Sequence, residues 1–390
     1  MAQTILSLKK GSDRTAFVRD AKQAGYTLKP VKGLPRHFII EGVAPPQFGL
    51  GNHPAVEACE DGDAPVYPAE QAITLDVTLA DGSWALPRII RRQAPWNVDR
   101  IKLPMDTYFR SERDGTGVDY YIMDTGIATA HSEFGGRATD VYEFASSGGA
   151  GDDHGHGTST ASLAVGATVG VARGADIFSF KISTSSAGLS SDAALTTAIG
   201  QLLTHYGARS NPAVCSISYT FSSGTVLSAI ADMIDDGIVV VGAAGNGLAD
   251  LSGINVYPAE ATDAISCGGI GMADIPYYLT NEGTNFGTGV DIVAPAQSIR
   301  AAAAPVRGVG DYHVFWGTSA AAPLVGGVVA CMLEGHSRLT GRTQVQAVKT
   351  ALLSNATTGK LRTAFGLTPL PDKILYLDPN QVAPETIAGL

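Results

Sequence analysis

Three segments of this chain end apolar runs with residues that can do acid, base or nucleophilic chemistry. They are Tyr120-Tyr121-Ile122-Met123-Asp124-Thr125-Gly126, Asp153-His154-Gly155-His156-Gly157-Thr158 and Trp316-Gly317-Thr318-Ser319-Ala320-Ala321-Ala322-Pro323. A serine hydroxyl is a weak nucleophile until a base takes its proton. An imidazole serves as that base when a carboxylate fixes its tautomer and steadies its positive charge. An aspartate, a histidine and a serine drawn from such segments therefore suggest acyl transfer through a covalent intermediate. His154 and His156, with Asp152 and Asp153 beside them, also suggest a metal cluster, but no partner set of His or Cys accompanies them.

The surrounding pattern indicates how these residues are positioned. Val118–Met123, Ile177–Ile182, Val214–Ser218, Ile238–Ala243 and Ala264–Gly268 are short, apolar and β-rich. Helical stretches at Thr158–Val165, Asp192–His205 and Thr225–Asp235 lie between them. Such alternation predicts an α/β fold, a mostly parallel twisted sheet with helices on both faces. Sheets of this kind bind ligands beyond the carboxyl ends of their strands, where Asp124 falls. Ser319 opens an apolar run to Leu333, so a helix starting there would aim its free N–H groups at a developing oxyanion. Pro323 is expected in the first turn of that helix, where proline is tolerated.

The order Asp, His, Ser resembles that of the subtilisin-like serine proteases, nearest to the proteinase K and subtilisin branches. The resemblance runs from about Ala94 to about Pro379. It includes a fourth segment, Val239-Val240-Val241-Gly242-Ala243-Ala244-Gly245-Asn246-Gly247. It implies a triad of Asp124, His156 and Ser319, with His156 chosen over His154 because it alone precedes Gly-Thr. It implies Asn246 as an oxyanion donor. Ser218-Tyr219-Thr220-Phe221 would wall the primary specificity pocket, where relatives have Ser-Leu-Gly-Gly, with Gly245 and Val256 nearby. The added side chains predict small P1 residues. No cofactor is required, but the resemblance implies a structural calcium ion held by the carbonyls of Thr262 and Ala264 and the carboxylate of Asp291. Two departures stand out: Ser159 replaces the usual histidine, and Ala320 the usual methionine, which should leave the site roomier and resistant to oxidants.

The first 90 residues read differently. Strands are expected at Thr4–Leu8, Leu28–Val31, His37–Glu41, Pro65–Tyr67 and Ile73–Leu79. A helix capped by Ser12 should run to Gly25, and Pro54–Cys59 reads as a helical turn. This small α+β unit resembles the family's inhibitory prosegment. The segment Gln93-Ala94-Pro95-Trp96-Asn97 resembles the start of the catalytic domain, which puts the boundary near Pro87–Arg92. The expected division is thus residues 1–90, prosegment-like, and 91–390, catalytic. Arg91-Arg92 reads as two solvated charges.

The 390 residues are 45% apolar and 16% charged, with a net charge of −10. This excludes a nucleic-acid footprint, and no run of ~18 apolar residues suggests a membrane span. The first residues lack a basic region followed by a long apolar one, so the chain is expected inside a cell or in a virus particle, secretion by another route remaining open. The four cysteines, Cys59, Cys215, Cys267 and Cys331, read as buried thiols rather than disulfides. The leading expectation is a serine endopeptidase acting on polypeptides, with its own N-terminal domain as intramolecular inhibitor. The alternative is a catalytically silent subtilisin fold serving as a structural or binding component of a larger particle. Glycine-rich Gly242–Gly247 and Gly268–Gly271 do not form a dinucleotide-binding fingerprint.

Overall fold

Residues that are buried on both sides of a sheet must be apolar throughout, and the central strands here are. The structure, a computed structural model, describes residues 3–23, 27–41, 56–61, 65–68, 84–90, 92, 111–144, 149–183, 190–252, 256, 258–259, 261–271, 274–279, 282–362, 370–381 and 386–390. Its N-terminal unit comprises β1 (Gln3–Leu8), α1 (Arg14–Gln23), β2 (Lys29–Pro30), β3 (His37–Glu41) and β4 (Val56–Asp61). Two short elements follow, β5 (Pro65–Pro68) and α2 (Ala85–Ile89). The body continues with β6 (Asp119–Asp124), β7 (Ala138–Glu143), α3 (His156–Val165), β8 (Asp176–Lys181), β9 (Ser190–Ser191) and α4 (Asp192–Gly207). Then come β10 (Ala213–Ile217), β11 (Tyr219–Thr220), α5 (Gly224–Asp235), β12 (Ile238–Ala243) and β13 (Ile265–Ile270). The last are β14 (Tyr278–Leu279), β15 (Glu282–Gly283), β16 (Ile292–Pro295), β17 (Ile299–Ala302), β18 (Tyr312–Phe315), α6 (Thr318–Leu333) and α7 (Arg342–Asn355).

Seven strands form a parallel sheet in the order β16-β13-β12-β10-β6-β8-β7. Helices α3 and α6 pack together against it, and α4 packs with α5. α6 is buried along all 16 residues, as its apolar sequence requires. Pro323 lies inside α6, not in its first turn. Proline has no N–H to return to residue i−4, so the carbonyl of Ser319 is left without its helical donor. Ser218 Oγ supplies one, at 3.4 Å.

The N-terminal sheet has the order β2-β3-β1-β4, all antiparallel. It rests on α4 and α5. Arg36 Nη2 reaches Asp232 Oδ1 at 2.5 Å and Lys10 Nζ reaches Asp235 Oδ2 at 2.7 Å. Backbones meet where two glycines allow it. A Cβ on Gly33, whose φ is +81°, would lie 1.8 Å from Gly200 O, and one on Gly200 would lie 1.9 Å from Lys32 O. Two local expectations are corrected here. α1 is capped by Asp13, whose Oδ1 accepts the N–H groups of Thr15 and Ala16, rather than by Ser12. The stretch read as a helical turn is strand β4, because pairing with β1 overrides the helix-favouring Ala and Glu. Ile73–Leu79 and Gln93–Asn97 lie outside the described residues.

The boundary expected near Pro87–Arg92 falls in and just beyond α2, and α2 is anchored to the body. Arg88, 1% exposed, makes a two-pronged ion pair with Asp274, 0% exposed, at 2.7 and 3.1 Å. Trp84 Nε1 donates to Gln297 O at 2.9 Å, and Leu377 N–H donates to Ile89 O at 2.7 Å. Cys215, Cys267 and Cys331 are buried free thiols, and burial pushes each thiol up. No described helix is long and apolar enough to cross a membrane.

Candidate active site

Asp124 ends β6 and is buried. A carboxylate there is costly unless donors surround it. Its Oδ1 accepts from His156 Nδ1 at 2.7 Å and from Thr125 N–H at 2.7 Å, and its Oδ2 accepts from Thr160 Oγ1 at 3.2 Å. A proton on Nδ1 leaves Nε2 as the basic nitrogen of the neutral ring. His156 Nε2 is buried and has no hydrogen-bond partner among the described residues.

His156 is the first residue of α3, and Asp152 fixes that helix start. The Asp152 carboxylate accepts the N–H groups of His154, Gly155 and Thr158 and the hydroxyls of Thr125 and Thr158, at 2.6–3.1 Å. Asp153 pairs with Lys181 Nζ at 2.7 Å. Both carboxylates are engaged as structural ties. Gly157 lets α3 press against the end of β6: a Cβ there would lie 2.1 Å from Gly126 O and 3.1 Å from Asp124 Cβ. The rings of Tyr219 and Phe315 meet the His156 ring edge-on, centroids 5.8 and 5.4 Å away. Burial lowers the pKa of His154, with the charge of His156 second.

Ser319 is fully buried at the start of α6, and it trades hydrogen bonds with Ser218. Ser319 Oγ donates to Ser218 O and Ser218 Oγ donates to Ser319 O, each at 3.4 Å. Ser218 thus holds the serine while its neighbour Tyr219 packs on the histidine. Asn246 stands just past β12. Its Oδ1 accepts from Thr318 N–H at 2.9 Å and Thr318 Oγ1 at 3.0 Å. Two donors on that oxygen set the amide's orientation, so Nδ2 is the free end. Nδ2 is buried without a partner among the described residues.

Of the residues expected to line the specificity pocket, Thr220 faces Gly245: a Cβ on Gly245 would lie 3.5 Å from Thr220 Cγ2. Tyr219 and Phe221 are instead packed in the main core, and Val256 lies against Ala244, Leu251 and Val290. The pocket-filling expected of Phe221 is corrected accordingly. The calcium expectation also changes. Ala264 O and Asp291 are present as expected, but Lys349 Nζ lies 2.6 Å from Ala264 O and 2.8 Å from Asp291 Oδ2. The residues there fit an ammonium rather than a divalent ion. Sequence reasoning missed Thr160, Phe315 and Lys349, and it named Asp152 without its role in tying the start of α3. Only Asp152, beside His154, carried a local signal.

β5 runs between two body strands in a three-stranded sheet, β11-β5-β9. It is antiparallel to both, with Tyr67 opposite Thr220, Pro68 opposite Tyr219, Val66 opposite Ser190 and Pro65 opposite Ser191. The N-terminal chain therefore lies beside Ser218 and the serine it holds.

Comparison with known proteins bears on the whole arrangement. Residues 115–368 match the family model described as the subtilase family. The chain is 29% identical over 341 residues to alkaline serine exoprotease A of Vibrio alginolyticus, covering 87% of this chain and 58% of that protein. It is 31% identical over 285 residues to an extracellular serine proteinase of Thermus sp. (strain Rt41A), covering 72% of this chain and 66% of that protein. The chain thus spans less than two thirds of the length of each of these relatives. The crystal structure of a cold adapted subtilisin-like serine proteinase superposes with a TM-score of 0.63 at 29% identity, covering 76% of this chain and 98% of that one. The name of the Thermus relative overturns the expectation of an intracellular or particle-bound protein and points to secretion. The matched residues, 115–368, include the Asp124–His156 pair, Asn246 and Ser319, and the chain belongs to the subtilase family.

Proposed function

We propose that the chain is a secreted serine endopeptidase working through an acyl-enzyme on Ser319. The observation that carries this is the 2.7 Å bond from His156 Nδ1 to Asp124 Oδ1, which leaves Nε2 free for a proton. Ser319 Oγ attacks the substrate carbonyl as His156 Nε2 takes its proton. Asp124 steadies the imidazolium. The oxyanion is met by Asn246 Nδ2 and by the N–H of Ser319, which has no partner within the first turn of α6. His156 then passes its proton to the leaving amine. A water molecule, deprotonated in turn by His156, releases the acyl group and restores Ser319.

The N-terminal unit is read as a prosegment that inhibits from within. β5 supports this, because it fills the strand position between β9 and β11 that an extended substrate would need. Its direction leads from Thr220 past Tyr219 toward Ser218, and the next residues in sequence are Ala69 and Glu70. Ala69–Glu70 is the proposed processing bond, with α2 remaining on the mature enzyme. A P1 alanine agrees with the proposed preference for small side chains beside Thr220.

A fluorophosphonate probe tests the catalytic reading. Labelling of the processed wild-type protein, lost together with peptidase turnover in Ser319→Ala, is the expected result. Turnover retained by pure Ser319→Ala would overturn it. Intact mass before and after processing tests the bond independently.

A further inference from the structure

Strands β13 and β16 are neighbours, entered at the same end from Ala264 and Asp291. Asp291 knits these entries together: its N–H donates to Ser266 O at 3.1 Å, and its Oδ2 accepts from Ser266 N–H at 2.9 Å. The resemblance implied a calcium ion on the carbonyls of Thr262 and Ala264 and the carboxylate of Asp291. Ala264 O and Asp291 Oδ2 converge on the ammonium of Lys349 instead.

The helix that carries Lys349 is built to deliver it. In α7, Val345, Val348 and Leu352 form the buried face. Lys349 sits at the border of that face, where its apolar stem can follow packed surface while the charged head reaches the strand entries. Arg342, Gln346 and Lys349 fall at i, i+4 and i+7, one stripe of the helix. The other two members engage the same loop. Arg342 Nη1 lies 2.8 Å from Asp263 Oδ2, and Gln346 Nε2 donates to Asp263 Oδ1 at 2.9 Å. Asp263 and Asp291 are thus both committed to α7.

Calcium takes six to eight oxygens at about 2.3–2.6 Å. An ammonium offers three N–H donors and is satisfied by fewer oxygens at hydrogen-bond distance. The contacts of Lys349, 2.6 and 2.8 Å to one carbonyl and one carboxylate, are of the second kind. A divalent ion on the same oxygens would meet a like charge. We infer that Lys349 is the protein's own cation at this site: it takes the place of a metal, and this part of the fold holds without calcium. The inference is independent of the catalytic reading, and its readout is melting rather than turnover.

Lys349→Met keeps the stem and removes the charge. Wild type and variant are melted after thorough chelation and again in millimolar calcium chloride. Wild type should melt at the same temperature in both. The variant should melt ~2–4 °C lower in chelator and recover part of that in calcium, because Asp291 and the Ala264 carbonyl are then released. A calcium-dependent shift equal in the two proteins, zero included, overturns the inference. If the variant does not fold, calorimetric titration of wild type and Asp291→Asn with calcium decides. Superimposable titrations support the inference, and binding that Asp291→Asn abolishes overturns it.

Discussion

His313 Nε2 lies 2.7 Å from Ser159 Oγ, one turn beyond His156, the proposed general base, on α3. The same hydroxyl lies 2.8 Å from Gly155 O and 3.0 Å from Ala302 O. Carbonyls only accept, so the single hydroxyl proton goes to them and His313 Nε2–H donates to Ser159. Gly155 immediately precedes His156, and the backbone bond from Ser159 N–H to Gly155 O is long, 3.3 Å. His313 therefore steadies the turn that presents the base. Burial, then the charge of Arg307, pushes its pKa down to about 3, so it adds no positive charge beside His156. His313→Leu should lower kcat about tenfold, equivalent to ~1.4 kcal/mol, and leave KM nearly unchanged. His313→Gln, which keeps a donor, should recover most of the rate. Equal losses in the two variants would assign the effect to ring packing.

Asn246→Ala removes the Nδ2 donor from the proposed oxyanion site. The loss of such a donor in this family costs about 2.7–4 kcal/mol, or ~10²–10³ in kcat. The expected variant binds substrate with near-normal KM and turns it over slowly. A fall in KM-limited binding with kcat intact would mean that Nδ2 serves the ground state. Melting should be followed alongside, because Asn246 Oδ1 also holds Thr318.

Arg88 and Asp274 are a buried pair 186 residues apart in sequence. Removing one partner leaves an uncompensated charge in the core. Arg88→Met should therefore destabilise the protein by ~3–5 kcal/mol, and Arg88→Met with Asp274→Leu should restore much of this. Chemical denaturation of the three proteins measures the coupling. A double variant as unstable as the single one would show that the site needs charge.

His37 gives docking of the N-terminal unit a pH dependence. The ring is fully buried, with Nδ1 3.5 Å from Asp232 Oδ2. Burial first, then the Arg36 charge, pushes its pKa down to about 3. The docked form carries a neutral ring, with a pKa below the unfolded value of ~6.5. Its contribution is thus fully present above ~6.5 and is lost as pH falls from there toward about 3, by up to ~1.4 kcal/mol per unit. In Ser319→Ala protein, which on the proposed reading cannot process itself, the urea midpoint should fall between about pH 7 and about pH 5. His37→Gln should flatten that slope. An unchanged slope would place the titrating group elsewhere.

The parts of the site that were legible in sequence are those held by local chemistry. Asp124 ends an apolar run, His156 and Ser319 begin helices, and Asn246 follows a strand; period and punctuation place these element ends, and the resemblance singles out the four residues. The parts that were not legible depend on remote partners. Nothing in Val56–Asp61 announces that β1 will pair with it, so helix-favouring residues gave the wrong element. Nothing in Trp84-Ala85-Leu86-Pro87-Arg88 shows that Asp274 and Gln297 will bind it to the body. Lys349 reads as one more surface charge on an amphipathic helix until Ala264 and Asp291 are placed beside it. The direction of Tyr219 and Phe221 depends on how β11 meets the core, which residue types alone do not decide.

If the N-terminal segment is released as proposed, the three-stranded arrangement around β5 has a consequence for the protein left behind. Once β5 departs, β9 and β11 present bare sheet edges, two short rows of unsatisfied peptide groups facing a gap one strand wide. Any extended polypeptide can complete them, because backbone groups are the same in every sequence. Such a gap would accept unrelated chains, with discrimination left to the few side chains at its end. The same rows can also capture another molecule of the enzyme or a misfolded neighbour. On the proposed reading, an N-terminal strand filling the gap would guard against self-association as well as premature cleavage, and concentrated stocks should stay dispersed longest while it is in place.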